Sequence, residues 1–193
     1  MAALSNPEIW KPLLIVVGVC LFIWGGFNGR AFIFCLLITL LLTDRMTSGL
    51  KAAVDRHRPK QVQRVRMVEL QRTHPAFLTL FKKTSVRYSD NHDRNRSGPS
   101  FPSGHTSNNP VIAMCCTLFF GRRGAWYWII AFLIGWSRVY LGAHWPTDVL
   151  ATIALAIGET LLILALCEIT WRSLGRKFAP QVYERHPSLI IKE

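Results

Sequence analysis

Long apolar runs alternate with polar, basic stretches along the 193 residues of this chain. A transmembrane helix needs about 17 to 25 predominantly apolar residues, because the hydrocarbon core of a bilayer is roughly 30 Å thick. Five runs meet this length: residues 12–28, 31–52, 104–120, 125–141 and 148–171. The pattern predicts an all-α fold, a polytopic transmembrane helical bundle of about five spans, in a single domain that covers residues 1–193.

The stretch between the second and third spans, residues 56–101, has no long apolar run. It is basic and contains several prolines, which favours a long extramembrane loop or a set of short surface helices. Such a long connection suggests a lid or a headgroup-binding segment, but a merely solvated loop fits equally well. Tighter turns are predicted at residues 28–30 and 121–124, where glycine and polar residues interrupt the apolar pattern.

Composition favours a membrane rather than nucleic acid as the partner. Half of the residues are hydrophobic and the mean hydropathy is +0.23, while the formal net charge is +12. The basic residues lie in loops between apolar runs, where they can contact anionic headgroups, and no nucleic-acid motif is recognisable. We therefore expect the lipid bilayer as a partner and no nucleic acid.

Three polar motifs lie at the ends of predicted spans. They are Lys51-x6-Arg58-Pro59, Pro102-Ser103-Gly104-His105 and Ser137-Arg138-x5-His144-x3-Asp148. Ionisable residues at membrane depth are energetically costly, so their presence indicates a functional site. Because consecutive spans cross in opposite directions, Lys51, His105 and His144 reach the same side of the membrane. The three motifs are therefore expected to form one composite site.

The cations of this composite site suit a phosphate group. Lys51, Arg58 and Arg138 can donate charge-assisted hydrogen bonds to phosphoryl oxygens, the arginines in a forked geometry. The Ser103 hydroxyl and the backbone N–H groups around Gly104, at the start of a helix, add further donors. This set requires no metal, and the five cysteines lie in apolar runs without metal-ligand spacing, so no cofactor is expected.

The two histidines can take different roles in phosphoryl transfer. One imidazole can attack phosphorus in its neutral form, giving a phosphohistidine, while the other protonates the leaving oxygen. His144 has Asp148 one helical turn later, which can hold its tautomer, so His144 is the predicted nucleophile. His105 has no obvious carboxylate partner and is the predicted acid. Asn108 and Asn109 share its helix face and are expected to line the same pocket.

The complete set of motifs resembles the type 2 phosphatidic acid phosphatase (PAP2) superfamily. The resemblance implies a metal-independent helical membrane phosphatase that works through a phosphohistidine. Its substrate would be phosphatidic acid, phosphatidylglycerol phosphate, undecaprenyl diphosphate or the phosphate groups of lipid A. The matching positions are Lys51, Arg58, Ser103, Gly104 and Arg138 for phosphate binding, His105 for the acid, His144 for the nucleophile and Asp148 for its orientation. Membrane members commonly have six spans, whereas five are predicted here, which leaves the orientation of the N-terminus open.

The resemblance also implies a location, since bacterial members usually open the site to the periplasm. We expect an integral protein of the bacterial inner membrane with a periplasmic site. The basic residues argue the other way, because thirteen Lys and Arg lie between residues 45 and 96 on the site side and eight lie on the opposite side. We keep the periplasmic prediction of the family, because several of the thirteen are predicted phosphate ligands or belong to a long loop. The preference of Lys and Arg for the cytoplasmic side is weak in long loops.

Two alternatives to hydrolysis share these residues. A lipid phosphotransferase would pass the phosphoryl group from His144 to a lipid acceptor instead of water. A non-catalytic lipid-binding membrane protein is disfavoured by the intact His105, His144 and Asp148. The oligomeric state is left open by the sequence.

Overall fold

The computed structural model describes residues 7–70, 79, 84–96 and 98–190. The described residues are mostly helical, as predicted, and include one two-stranded antiparallel sheet. The helices are α1 (Pro7–Trp24), α2 (Gly26–Ala53), α3 (Pro59–Val62), α4 (Asn91–Arg96), α5 (Gly104–Ala125), α6 (Tyr127–Tyr140), α7 (Pro146–Phe178) and α8 (Pro180–Arg185). The strands are β1 (Arg66–Leu70) and β2 (Thr84–Tyr88).

Helix α5 lies at the centre of the bundle and packs against α2, α6 and α7. Its buried Val111 and Phe119 form a core with Phe32 of α2 and Leu164 of α7. The Phe32 and Phe119 rings meet edge to face with their centroids 5.7 Å apart, a favourable aromatic arrangement. The core fixes the central helix, and the Pro-Ser-Gly-His motif lies at the N-terminus of that helix.

The outward faces of the long helices are apolar. Leu37 and Leu41 of α2 and Leu162 and Leu166 of α7 are all exposed. Helices α2 and α7, of 28 and 33 residues, are long and apolar enough to cross a membrane. Only 33% of the most apolar stretch of each is buried, unlike the core helix of a soluble protein. Such a contiguous exposed apolar surface is costly in water and suits lipid.

The segment predicted as a loop or short helices contains a β-hairpin, so the all-α prediction was wrong there. Strands β1 and β2 pair in antiparallel register, with Val68 opposite Val86 and Arg66 opposite Tyr88. Valine and tyrosine favour strands. Residues 71–78, 80–83 and 97 of the predicted loop lie outside the described residues.

Several predicted boundaries also move, most of all the end of α7, which lies at Phe178 rather than at residue 171. The first turn lies at Gly25 and Gly26 rather than at residues 28–30, because Gly26 adopts a φ of 60° that favours glycine. Helix α7 begins at Pro146, two residues before the predicted start, since proline is well suited to the first helical position. The predicted break at residues 121–124 is confirmed by Gly121, which has a φ of 57° inside α5.

Candidate active site

Three segments meet where α2 ends and where α5 and α7 begin. The Ser100 N–H, before α5, donates to the Arg56 carbonyl oxygen, after α2, at 2.6 Å. The Trp145 Nε1–H, before α7, donates to the His57 carbonyl oxygen at 2.8 Å. These hydrogen bonds hold together the loops that carry the three sequence motifs.

His144 is buried, with 4% of its surface exposed, and its ring has a fixed partner. Nδ1 lies 2.6 Å from the Ser100 carbonyl oxygen. Because a carbonyl oxygen can only accept, this contact assigns the hydrogen to Nδ1 and leaves the Nε2 lone pair available. Burial lowers the pKa of His144 to about 3, with further lowering by the charges of Arg58, Arg138 and Lys51, against the opposing Ser100 hydrogen bond. The imidazole is therefore neutral at neutral pH.

Asp148 does not contact the His144 ring as the sequence had predicted. Its fully buried carboxylate accepts hydrogen bonds from Arg56 Nη1 at 2.7 Å, Ser100 Oγ at 2.5 Å and the Trp145 N–H at 3.1 Å. The reason is its position three residues after the N-cap of α7, where a carboxylate turns back to bond the N-cap N–H. Asp148 is therefore linked to His144 through Ser100, whose hydroxyl bonds the carboxylate and whose carbonyl oxygen bonds the ring.

The two arginines of the site differ in their hydrogen bonding. Arg58 donates through Nε to the Gly98 carbonyl oxygen at 2.9 Å and through Nη2 to the Pro99 carbonyl oxygen at 3.4 Å. Burial lowers the pKa of Arg58 from its ordinary value. Arg138 Nε is buried and has no hydrogen-bond partner among the described residues. A buried donor without a partner is costly, and an anion bound beside it would satisfy it.

The start of α5 brings the first two motifs together. A Cβ built on Gly104 would lie 3.7 Å from Lys51 Nζ, so the lysine amine lies next to this glycine. The Ser103 hydroxyl is buried and accepts hydrogen bonds from the Thr106 N–H at 3.4 Å and the Thr106 hydroxyl at 2.9 Å. The structure therefore gives Ser103 a helix-capping role, and its predicted contact with phosphate stays a prediction.

His105 is exposed and borders a cavity of about 380 Å³ between α1, α5 and α6. The predicted Asn108 and Asn109 also line it, and Asn109 Nδ2 donates to the His105 carbonyl oxygen at 2.8 Å. The Tyr127 hydroxyl donates to Asn109 Oδ1 at 3.2 Å and fixes that amide. The remaining lining is apolar except for Lys11, and consists of Trp10, Lys11, Leu13, Leu14, Leu40, Ile112, Ile130 and Ile134. The cavity thus opens beside an imidazole and continues into apolar surface.

All three motifs fall within one family match. Residues 31–172 match the model of the PAP2 superfamily, which is most of the chain. This chain belongs to the PAP2 superfamily. The match confirms the family that the motifs had indicated.

Two relatives of this PAP2 protein come from Bacillus subtilis strain 168. Undecaprenyl-diphosphatase BcrC is 33% identical over 94 residues, which cover 48% of this chain and 46% of BcrC. Phosphatidylglycerophosphatase B is 28% identical over 161 residues, which cover 76% of this chain and 62% of the relative. The PAP2 chain therefore matches about half of the length of the first relative and less than two thirds of the second.

One solved structure shares the fold. It is the crystal structure of the first transmembrane PAP2 type phosphatidylglycerolphosphate phosphatase from Bacillus subtilis. The TM-score is 0.54 at 24% sequence identity, and the superposition covers 84% of this PAP2 chain and 71% of the other. At this identity the likeness is one of fold.

Sequence reasoning did not single out Arg56 and Ser100 of this PAP2 protein. Arg56 lies among the six unspecified positions between Lys51 and Arg58. Ser100 contacts His144 through its backbone carbonyl, a group that every residue type carries, so no residue pattern signals it. The proximity of Ser100 to the Pro-Ser-Gly-His motif was the one hint in the sequence.

Within the described residues, His, Cys, Asp and Glu side chains form no group of three suited to a metal ion.

Proposed function

We propose that this PAP2 protein is a membrane phosphatase that hydrolyses phosphate monoesters or diphosphates of lipids, without a metal. The observation that carries the proposal is the buried imidazole of His144, whose Nδ1 is held by the Ser100 carbonyl oxygen. Burial and the charges of Arg58, Arg138 and Lys51 lower its pKa, which favours the neutral form. A neutral imidazole is the nucleophilic form, and cations around phosphorus stabilise the charge of the transferring phosphoryl group. The buried Arg138 Nε, which has no partner among the described residues, supplies a donor for a phosphoryl oxygen.

The reaction follows from the two ring environments. His144 Nε2 attacks phosphorus, the bond from phosphorus to the lipid oxygen breaks, and His105 gives its proton to that oxygen. The Nδ1–H bond to the Ser100 carbonyl stabilises the positive charge that develops on the imidazole. Water then attacks the phosphohistidine, His105 takes one of its protons, and inorganic phosphate leaves. Each turnover restores both imidazoles to their starting protonation states.

The cavity beside His105 supports a lipid as the leaving group. The acid must lie next to the leaving oxygen, and the largely apolar surface beyond His105 suits the acyl or isoprenoid chain of the lipid that leaves. The names of the two relatives point to undecaprenyl diphosphate and a phosphorylated phosphatidylglycerol as substrates of those proteins. Phosphatidic acid and lipid A phosphate complete the substrate class that we propose for this chain.

We also infer five membrane crossings, by α1, α2, α5, α6 and α7, with the site at the periplasmic face of a bacterial inner membrane. Support comes from exposed apolar residues on helices besides α2 and α7. Ile15 and Val16 on α1, and Phe132 and Trp136 on α6, are all exposed. Outward apolar side chains on these shorter helices are consistent with contact to lipid.

A substrate panel tests the proposed function. The purified full chain in detergent micelles is incubated with phosphatidic acid, phosphatidylglycerol phosphate, undecaprenyl diphosphate or lipid A, in the presence of EDTA. We expect at least one lipid to release inorganic phosphate without an added acceptor. Phosphate that appears only on a second lipid would instead support the phosphotransferase. Absence of both release and transfer across the panel would contradict the proposal.

A further inference from the structure

We propose that Arg56 and Ser100 are positioning residues, through which the Asp148 carboxylate holds the imidazole of His144. The expected effect on kcat rests on the proposed phosphatase function. The expected effect on the tautomer of His144 does not depend on that function. The three donors to the buried carboxylate are Arg56, Ser100 and the Trp145 N–H. The carboxylate therefore acts on the nucleophile through an intermediate residue.

Ser100 is fixed by three hydrogen bonds that use different atoms. Its N–H donates to the Arg56 carbonyl oxygen at 2.6 Å, and its hydroxyl donates to Asp148 Oδ2 at 2.5 Å. Its own carbonyl oxygen accepts from His144 Nδ1 at 2.6 Å. Ser100 is fully buried, so water does not compete for these groups. The orientation of the Ser100 peptide therefore sets the tautomer of His144 and the direction of its Nε2 lone pair.

Arg56 supplies the charge that makes the buried carboxylate tolerable. Its Nη1 lies 2.7 Å from Asp148 Oδ1, and its Nη2 donates to the Thr147 hydroxyl at 3.2 Å. An ionised carboxylate with no exposed surface is strongly destabilising unless it is paired and hydrogen-bonded. Arg56 is thus engaged by Asp148 and the start of α7, whereas Arg138 retains a buried Nε without a partner in the described part of the chain.

The direct test reads the His144 ring and needs no turnover. The chain carrying ¹⁵N-labelled histidine is studied by NMR in micelles, and the His144 signals are assigned by their loss in His144→Gln. We expect a protonated Nδ1 in the parent and a mixture of the two neutral tautomers in Arg56→Ala and Ser100→Ala. Arg56→Lys should retain most of the parent pattern. Unchanged His144 signals in both alanine variants would overturn the proposal.

Ser100→Ala keeps the Arg56–Asp148 ion pair, so it serves as the test if Arg56→Ala does not fold. Ser100→Thr retains the hydroxyl and should preserve the parent tautomer. The matched control is Arg122→Ala, which removes an exposed arginine beyond the break at Gly121 of α5. Its His144 signals should match those of the parent.

Kinetics separate positioning from phosphate binding. With the best lipid of the panel, Arg56→Ala and Ser100→Ala should lower kcat by roughly 10- to 100-fold, as expected for a misdirected nucleophile. KM and the inhibition constant of inorganic phosphate should stay within about twofold of the parent. If KM and the inhibition constant of inorganic phosphate both rise while kcat is retained, Arg56 binds phosphate, and the proposal is overturned. A parent that hydrolyses none of the lipids would contradict the proposed function alone, since the NMR result still decides the positioning role.

Discussion

The two histidines of the site have opposite surroundings. His144 is buried, and its Nδ1 is held by the Ser100 carbonyl oxygen. His105 is exposed at the start of α5 and borders an apolar cavity. A nucleophile benefits from one tautomer and a low pKa, whereas a general acid must exchange its proton in every cycle. The difference in burial and bonding is therefore the basis on which we propose different roles for the two histidines.

The largest expected effect is that of His144→Ala. Removal of the nucleophile should lower kcat/KM by at least about 1,000-fold, because the other groups cannot form the covalent intermediate. The measurement is release of phosphate from the best lipid of the panel, with circular dichroism to check the fold. His92→Ala, at an exposed histidine of α4, is the matched control and should keep parent activity. Parent-like activity of His144→Ala would contradict the assignment.

His105→Ala should give a smaller loss that depends on the leaving group. Without the acid, phosphate monoesters of lipids should react roughly 100- to 1,000-fold more slowly, because an alkoxide is a poor leaving group. p-Nitrophenyl phosphate needs little protonation of its leaving oxygen, so its rate should fall by less than about tenfold. Comparison of kcat for the two substrates provides the check. Equal losses for both would indicate that His105 binds phosphate instead of acting as the acid.

Arg138→Gln tests the cations that surround both histidines. Loss of one charge-assisted hydrogen bond costs about 1.5 to 3 kcal/mol, which corresponds to a rise of roughly 10- to 100-fold in the inhibition constant of inorganic phosphate. Arg138→Lys keeps the charge but not the forked geometry, so it should give an intermediate value. Arg122→Gln is the control at an exposed position. An unchanged inhibition constant for Arg138→Gln would exclude Arg138 from phosphate binding.

The smallest expected effect concerns pH and stability. Burial lowers the pKa of His144 to about 3, while in the unfolded chain the group titrates near its ordinary value of about 6.5. Between these values the unfolded state binds the extra proton, so stability falls as pH falls through this window. From pH 7 to pH 5 the parent should lose about 2 kcal/mol more than His144→Gln, or a few degrees in Tm. Equal shifts in Tm for the two proteins would show that His144 is not buried in its neutral form.

The polar residues of the site were predictable because they form linear motifs at the ends of apolar runs. Counting spans placed Lys51, His105 and His144 on one side, and the structure brings the cations of the first and third motifs within electrostatic reach of His144. The bounds of the long helices were also predictable to within five residues from the length of each run, except that α7 continues seven residues beyond the predicted end at residue 171. These features depend on side-chain type and order alone.

The contacts that hold the His144 ring were not predictable from the same patterns. Asp148 was expected to bond His144, but its carboxylate turns back to the start of α7 and is shared by Arg56 and Ser100. Ser100 acts through its backbone, which carries no sequence signal. The hairpin of β1 and β2 was missed because short strands give a weak periodic signal next to long apolar helices.

We propose that the buried imidazole of His144 attacks phosphorus and carries the phosphoryl group during turnover. The most direct measurement mixes the full chain with a lipid substrate labelled with ³²P on the phosphate that is released. The reaction is quenched in alkali before the first turnover is complete, and the labelled peptide is mapped. We predict acid-labile label on His144 and none in His144→Ala. Label on His105, or release of phosphate in the first turnover with no label on the protein, would contradict the account.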